Sequence, residues 1–183
     1  VPPGTTDALL DHYPQKRIVI SPEYFGEGPT WDGTLDNEGL GLPEQWPFVI
    51  VGGEQVAAQA VLDAFQEVLG LRIECVYEEN TRTVELVKYM ENVWLAMQVT
   101  WANEFYEIAK AVGADYEDAR DVWAYDPRVS ASHTEVLLPR GFGGKCLPKD
   151  LSAISWGAHR AGYTAPVLQA IQPTTQRFRA MNT

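Results

Sequence analysis

Cations, cysteines and histidines are what this sequence has least of. Its 183 residues hold 14 Lys and Arg against 25 Asp and Glu, a formal charge of −11. Such a surface repels phosphate, which excludes a general nucleic-acid or anionic-membrane binder. The two cysteines, Cys75 and Cys146, are too few and too far apart for a disulfide scaffold or a zinc site. A reducing compartment, and so a cytoplasmic location, is expected. The three histidines show no metal-ligand spacing to one another or to Cys146, so no metal site is read. No apolar run approaches the ~20 residues of a membrane-spanning helix, and no signal peptide opens the chain. A Gly-x-Gly-x-x-Gly phosphate turn is also missing. The Gly-x-Gly pairs at 26/28, 39/41 and 141/143 run on to Trp31, Glu44 and Cys146 where the third glycine belongs. Val1 stands where a start methionine would, and Val-Pro-Pro-Gly-Thr-Thr reads like the middle of a longer chain.

What is present suffices for a folded core. The hydrophobic fraction is 45%, ordinary for a globular protein, and the length fits one domain or two small ones. Thr5-Thr6-Asp7 ahead of Ala8-Leu9-Leu10 predicts a capped helix to about Tyr13, and Arg17–Ser21, between Pro14 and Pro22, predicts a strand. Residues 22–46 read as a long loop. The continuous apolar run from Pro47 to Gly53 predicts a strand buried on both faces, as in a parallel sheet. Helical spacing of apolar residues from Glu54 to Leu69, then a strand over Arg72–Tyr77, completes a strand–helix–strand unit.

Beyond Tyr77 the pattern is helical throughout. From Thr83 to Val112 there is neither Pro nor Gly, and Leu86, Met90, Val93, Trp94, Met97, Trp101, Phe105 and Ile108 recur at three- and four-residue steps. Roughly 30 residues at ~1.5 Å each make a helix of about 45 Å, longer than a small domain buries alone. A spine or a subunit interface is expected, with Trp94 and Trp101 in the core. Asp115 predicts the cap of a helix to about Ala124, and Asp126-Pro127 ends it. Residues 127–149 read as loop, followed by helices at about 151–161 and 166–180, the second interrupted by Pro173. The chain thus divides into an α/β segment, 1–78, and an all-α segment, 79–183.

Few residues qualify for chemistry. Cys146 follows Gly143 and Gly144 and precedes Lys149, Asp150 and a helix start, and both a lysine and a helix N-terminus favour thiolate. The bland alternative is an inert thiol in a tight turn, the reading also given to Cys75 in its strand. Lys88 and Asn92 share a helix face opposite the apolar stripe; that face is either functional or simply solvated. Glu23 and Glu27 follow the first strand, at the end of a sheet where α/β proteins bind ligands, or are solvated loop carboxylates. Arg128 is an anion contact by conjecture alone.

The segment Gly141-Phe142-Gly143-Gly144-Lys145-Cys146-Leu147-Pro148-Lys149-Asp150 closely resembles the active-site segment of the UDP-glucose/GDP-mannose dehydrogenase family. Before it, in the family's order, stand Val1–Thr6, Ser21–Gly28, Val49–Gly53, Glu85–Asn92 and Ala109–Asp115, each similar to a family segment. The resemblance implies α/β plus all-α architecture. The α/β part would be the remnant of a parallel Rossmann-like sheet, the rest a helical dimerisation domain with a long spine helix. It also implies NAD-dependent oxidation of a nucleotide-sugar C6 alcohol, UDP-glucose or similar, to the carboxylate. Cys146 would form a thiohemiacetal and then a thioester, with Lys88 and Asn92 steadying charge on oxygen. Glu23 would assist hydrolysis and Asp150 order the water. Glu27 and Lys149 would lie near the cofactor, and Gly143 and Gly144 near the substrate. Arg128 would reach the substrate of a neighbouring subunit in a homodimer built on the 83–112 helix.

Several features depart from the family plan. The glycine fingerprint would lie ahead of Val1, the loop from Gly28 to Phe48 is long, and Lys145 holds a position that is commonly small. These departures make the chain the middle portion of the plan, a fragment or split subunit needing a separate N-terminal NAD-binding polypeptide. The alternative is a non-catalytic structural or assembly module that reuses the helical dimerisation domain. Retention of Cys146, Lys149, Asp150, Lys88 and Asn92 together argues for the enzyme.

Overall fold

The computed structural model describes residues 1–24, 48–70 and 73–181. The chain forms two compact units, Val1–Met90 and Glu91–Thr183. The first contains α1 (Thr5–His12), β1 (Val19–Ile20), β2 (Phe48–Gly53), α2 (Gln55–Leu69), β3 (Glu74–Glu78) and the opening turns of α3 (Thr81–Val112). The rest of α3 lies in the second unit, with α4 (Tyr116–Trp123), α5 (Cys146–Arg160) and α6 (Pro166–Ala180). Most of the predicted 22–46 loop, including Glu27, lies outside the described residues.

In the first unit the sheet order is β1-β2-β3. β2 and β3 are parallel, in register from Phe48↔Glu74 to Gly52↔Glu78, with α2 as their crossover. Val49 and Val51 on one face of β2 pack with Ala58 and Leu62 of α2 and with Ile73. Each large side chain so buried contributes roughly 1.5–3 kcal/mol. Glu54 caps α2, its carboxylate accepting from Val56 N and Ala57 N. The all-parallel expectation is corrected at β1, which runs antiparallel to β2, pairing Val19 with Gly53 and Ile20 with Gly52. An antiparallel neighbour needs no crossover helix, and the sequence between β1 and β2 carries no helical pattern.

α1 is a second correction. Thr5 does not cap it; Thr5 Oγ1 donates instead to Pro2 O. The cap is the buried Glu85 carboxylate of α3, which accepts from Gly4 N, Thr6 N and Thr6 Oγ1. Asp7 accepts from Thr81 Oγ1 and Arg82 Nε, both at 2.6 Å. These bonds, with Val84 packed on Gly52, attach the start of α3 to the first unit, whereas the sequence division fell at 78/79.

α3 spans 32 residues without a break, as expected of its sequence, but it buries the face opposite to the one expected. Glu85, Tyr89, Asn92, Ala96 and Asn103 are all 5% exposed or less, whereas Leu86, Met90, Trp94, Trp101, Phe105 and Ile108 are 36–63% exposed. Only Val93 and Met97 of the predicted stripe pack into a core, beside Ala96, Phe142, Leu151 and Ile171. Trp94 and Trp101 are therefore surface residues. In the second unit, burial goes to small and hydrogen-bonded side chains because Leu151 of α5 and Ile171 of α6 pack against Ala96, where an alanine leaves room.

α4 is capped by Asp115, which accepts from Asp118 N as its sequence predicts. α5 starts at Cys146, several residues before the expected start. Pro148 does not block it, since first-turn amides have no intrahelical acceptor to lose. α6 likewise runs unbroken through Pro173, held by the buried Ile171, Thr175 and Phe178. Among the described residues no helix is long and apolar enough to cross a membrane.

Candidate active site

The early start of α5 puts Cys146 on its first turn, as a half-buried thiol outside any disulfide. Asp150 follows one turn later, on the same side of the helix. It is 5% exposed, and its two oxygens are held separately. Asn92 Nδ2 donates to Oδ2 at 2.5 Å, and Lys149 Nζ approaches Oδ1 at 2.6 Å. A buried carboxylate held from both sides has a defined direction, which ordering a water or a proton requires. Asn92 sits on the buried face of α3, so the solvated alternative for it is wrong.

The turn ahead of Cys146 is shaped by α6 and α3. Phe142 is buried among Ala96, Leu151 and Ile171. Arg140, 8% exposed, donates through Nε to Asn103 Oδ1 at 3.0 Å and through Nη2 to Asn103 O at 3.2 Å, and pairs with Glu107. This guanidinium holds the Glu107 carboxyl below its usual range, against a smaller opposing effect of burial. Gly144 has φ +74° with open space where a side chain would stand; at Gly143 a Cβ would meet Arg179.

The remaining sites are more dispersed. In the first unit, Lys88 holds its ammonium 4.7 Å from the ring centre of the buried Tyr24. Glu23 beside Tyr24 is exposed. Lys88 and Asn92 stand one turn apart on α3. Glu27 falls outside the described residues. Arg128 is exposed, and its guanidinium pairs with Asp126, which raises its pKa and lowers that of Asp126.

Sequence reasoning missed Glu85, Asn103, Arg140, Thr175 and Arg179. A legible signal existed for two of them: Glu85 and Asn103 lie on the same helical line as Asn92 and Ala96. Arg140, Thr175 and Arg179 gave none, because their partners are distant in sequence.

The chain is similar to several known proteins. The family described as UDP-glucose/GDP-mannose dehydrogenase, central domain, matches residues 82–177. GDP-mannose 6-dehydrogenase of Pseudomonas savastanoi pv. phaseolicola is 35% identical over 154 residues, which are 84% of this chain and 32% of that protein. UDP-glucose 6-dehydrogenase TuaD of Bacillus subtilis is 26% identical over 162 residues, 88% of this chain and 32% of that one. Among solved structures, a UDP-glucose dehydrogenase from Pyrobaculum islandicum superposes with a TM-score of 0.78 at 26% identity, covering 97% of this chain and 39% of that one. The chain spans about a third of the length of the curated relatives it matches. With its central-domain match extending over more than half of the residues, the chain belongs to the UDP-glucose/GDP-mannose dehydrogenase family.

Proposed function

We propose that this chain carries the thiol chemistry of a nucleotide-sugar 6-dehydrogenase, which takes a C6 alcohol to the carboxylate. One observation supports this above others: Cys146 on the first turn of α5, with Asp150 one turn on and directed by Asn92 and Lys149. A purely structural helix pair has no need of a buried carboxylate beside a thiol.

Cys146 sulfur adds to the carbonyl carbon of the C6 aldehyde, the C–S bond forms, and the π electrons move onto oxygen, which takes a proton. At the thioester stage water adds to the same carbon, and collapse of the adduct expels the Cys146 thiolate and leaves the carboxylate. Both additions place negative charge on oxygen, which a cation and an amide donor stabilise. The family resemblance assigns that role to Lys88 and Asn92. One Asn92 N–H is on Asp150, and an amide nitrogen carries two. Asp150 orders the water and Glu23 assists its attack.

NAD is the hydride acceptor for the two oxidations. The start of α2 offers its pyrophosphate no seat. At α2, the helix that follows a parallel strand, the first amides are taken by the Glu54 carboxylate, which repels a diphosphate. Gly52 just before it is filled by Val84, and Lys149 is on Asp150. The family resemblance assigns Glu27 and Lys149 to the cofactor, and a separate N-terminal NAD-binding polypeptide or segment would seat the rest of it. The exposed apolar line along α3 supports a homodimer, with Arg128 reaching a partner's substrate once it leaves Asp126.

The test is NADH formation with UDP-glucose and with GDP-mannose, the second included because the GDP-mannose enzymes have the higher identity. With the NAD-binding part present, turnover is expected, and Cys146→Ala should lose about 1,000-fold or more of it. An unchanged Cys146→Ala rate, or no turnover with either sugar, overturns the reading.

A further inference from the structure

The turn from Gly141 to Lys145 contains three glycines, a composition that by itself leaves the thiol's position loosely defined. Its only apolar side chain is Phe142, and the Phe142 peptide groups are gripped twice from α6. Phe142 N donates to Thr175 Oγ1 at 3.0 Å, and Arg179 Nη1 donates to Phe142 O at 3.1 Å. The same two side chains account for two of the glycines. A Cβ on Gly141 would stand 2.6 Å from Thr175 Oγ1, and one on Gly143 would stand 2.5 Å from Arg179 Nη1. The glycines at 141 and 143 thus admit α6, and only Gly144 is left with open space.

We propose that Thr175 and Arg179 are positioning residues for Cys146: by fixing the Phe142 peptide they set where the following turn delivers the thiol at the start of α5. This rests on the reading of Cys146 as the nucleophile. The downstream side of Cys146 is already anchored, by the buried Leu151 and by the bond between Asp150 and Asn92. The upstream side has only three residues, 143–145, between the gripped peptide and the thiol. Fixing both ends of so short a segment removes the freedom its glycines would otherwise have. Thr175 is 3% exposed, so no water replaces its hydroxyl if it is removed. Misplacing a reacting atom by an ångström is enough to cost on the order of 100-fold in rate.

The test is the rate of iodoacetamide alkylation in the full chain at about neutral pH, read at Cys146 and Cys75 in one sample by peptide mass spectrometry. Cys75 lies in the first unit and reports general loosening. Thr175→Val keeps the shape and removes the acceptor; Thr175→Ser keeps the acceptor; Arg179→Gln acts at an exposed position and covers the case in which Thr175→Val does not fold. Thr175→Val and Arg179→Gln should slow Cys146 by about ten-fold, with Cys75 unchanged and Thr175→Ser within about two-fold of wild type. A wild-type Cys146 rate in both Thr175→Val and Arg179→Gln overturns the inference, as does a change shared equally by Cys75. If wild-type Cys146 reacts no faster than a free cysteine, the nucleophile reading fails, and the inference fails with it; a reactive wild type with indifferent variants overturns the positioning role alone.

Discussion

Arg140 is the residue whose environment is most completely specified. Besides its bonds to Asn103 and Glu107, its guanidinium lies 4.8 Å from the Tyr106 ring centre and 5.2 Å from that of Phe178. A planar cation so enclosed needs each donor matched, and Lys cannot reproduce the fork. The consequence is a pH dependence. Glu107 titrates below its reference value of 4.5 in the folded chain because Arg140 hydrogen-bonds its charged form. A lowered folded value means that the pair's stabilisation is present above the unfolded value and is lost as pH falls through the folded one. The urea midpoint of the wild type should fall more steeply below about pH 4.5 than that of Glu107→Gln, measured across that range. Equal slopes would remove Glu107 from the acid response.

At the scale of elements, the helix starts are where local and distant chemistry separate. α2 and α4 are capped from within, by Glu54 and Asp115, and both caps are legible in sequence because an N-cap acts over three residues. α1 is capped from Glu85, 79 residues beyond Thr6, which no local pattern reveals. Glu85→Ala should cost about 2 kcal/mol in urea unfolding and speed hydrogen exchange at the Gly4 and Thr6 amides. Glu85→Gln should fall between, since it keeps one acceptor oxygen and turns the other into a donor. Exchange at those amides unchanged in Glu85→Ala would show that the carboxylate does not cap the helix. The interruption expected at Pro173 is absent, because a proline ends a helix only if nothing else holds it. Pro148 lies where no bond is lost, and the bond lost at Pro173 is offset by the buried Ile171, Thr175 and Phe178.

At the scale of the molecule, a chain of −11 net charge carries an apolar line down α3, the longest helix among the described residues. The Trp101 ring centre lies 4.5 Å from that of Phe105 and 5.1 Å from that of Trp123, tilted against both, yet Trp101 remains 36% exposed. Large exposed aromatics in sequence at helical spacing fit an interface between copies better than they fit water. Light scattering should give twice the 20.4 kDa chain mass, and Trp101→Glu should shift the protein to monomer while leaving far-UV helicity within about 10%. A wild-type monomer at all accessible concentrations would remove the homodimer.

Sequence alone determined which segments are helices and strands, since periodicity and turn residues act locally, and it determined the family through the Gly141–Asp150 segment. It also determined that Cys146, Lys149 and Asp150 lie together, because they are within five residues. Tertiary structure decided the rest. Periodicity identifies the two faces of α3, but not which one the chain itself covers, and here it covers the polar one. The direction of β1, the cap on α1 and the grip of Thr175 and Arg179 on Phe142 all depend on residues brought close by folding. The pairing of Asn92 with Asp150 is decided in the same way: hydrogen bonding falls off within ångströms, and a sequence separation of 58 sets no distance until the core has formed.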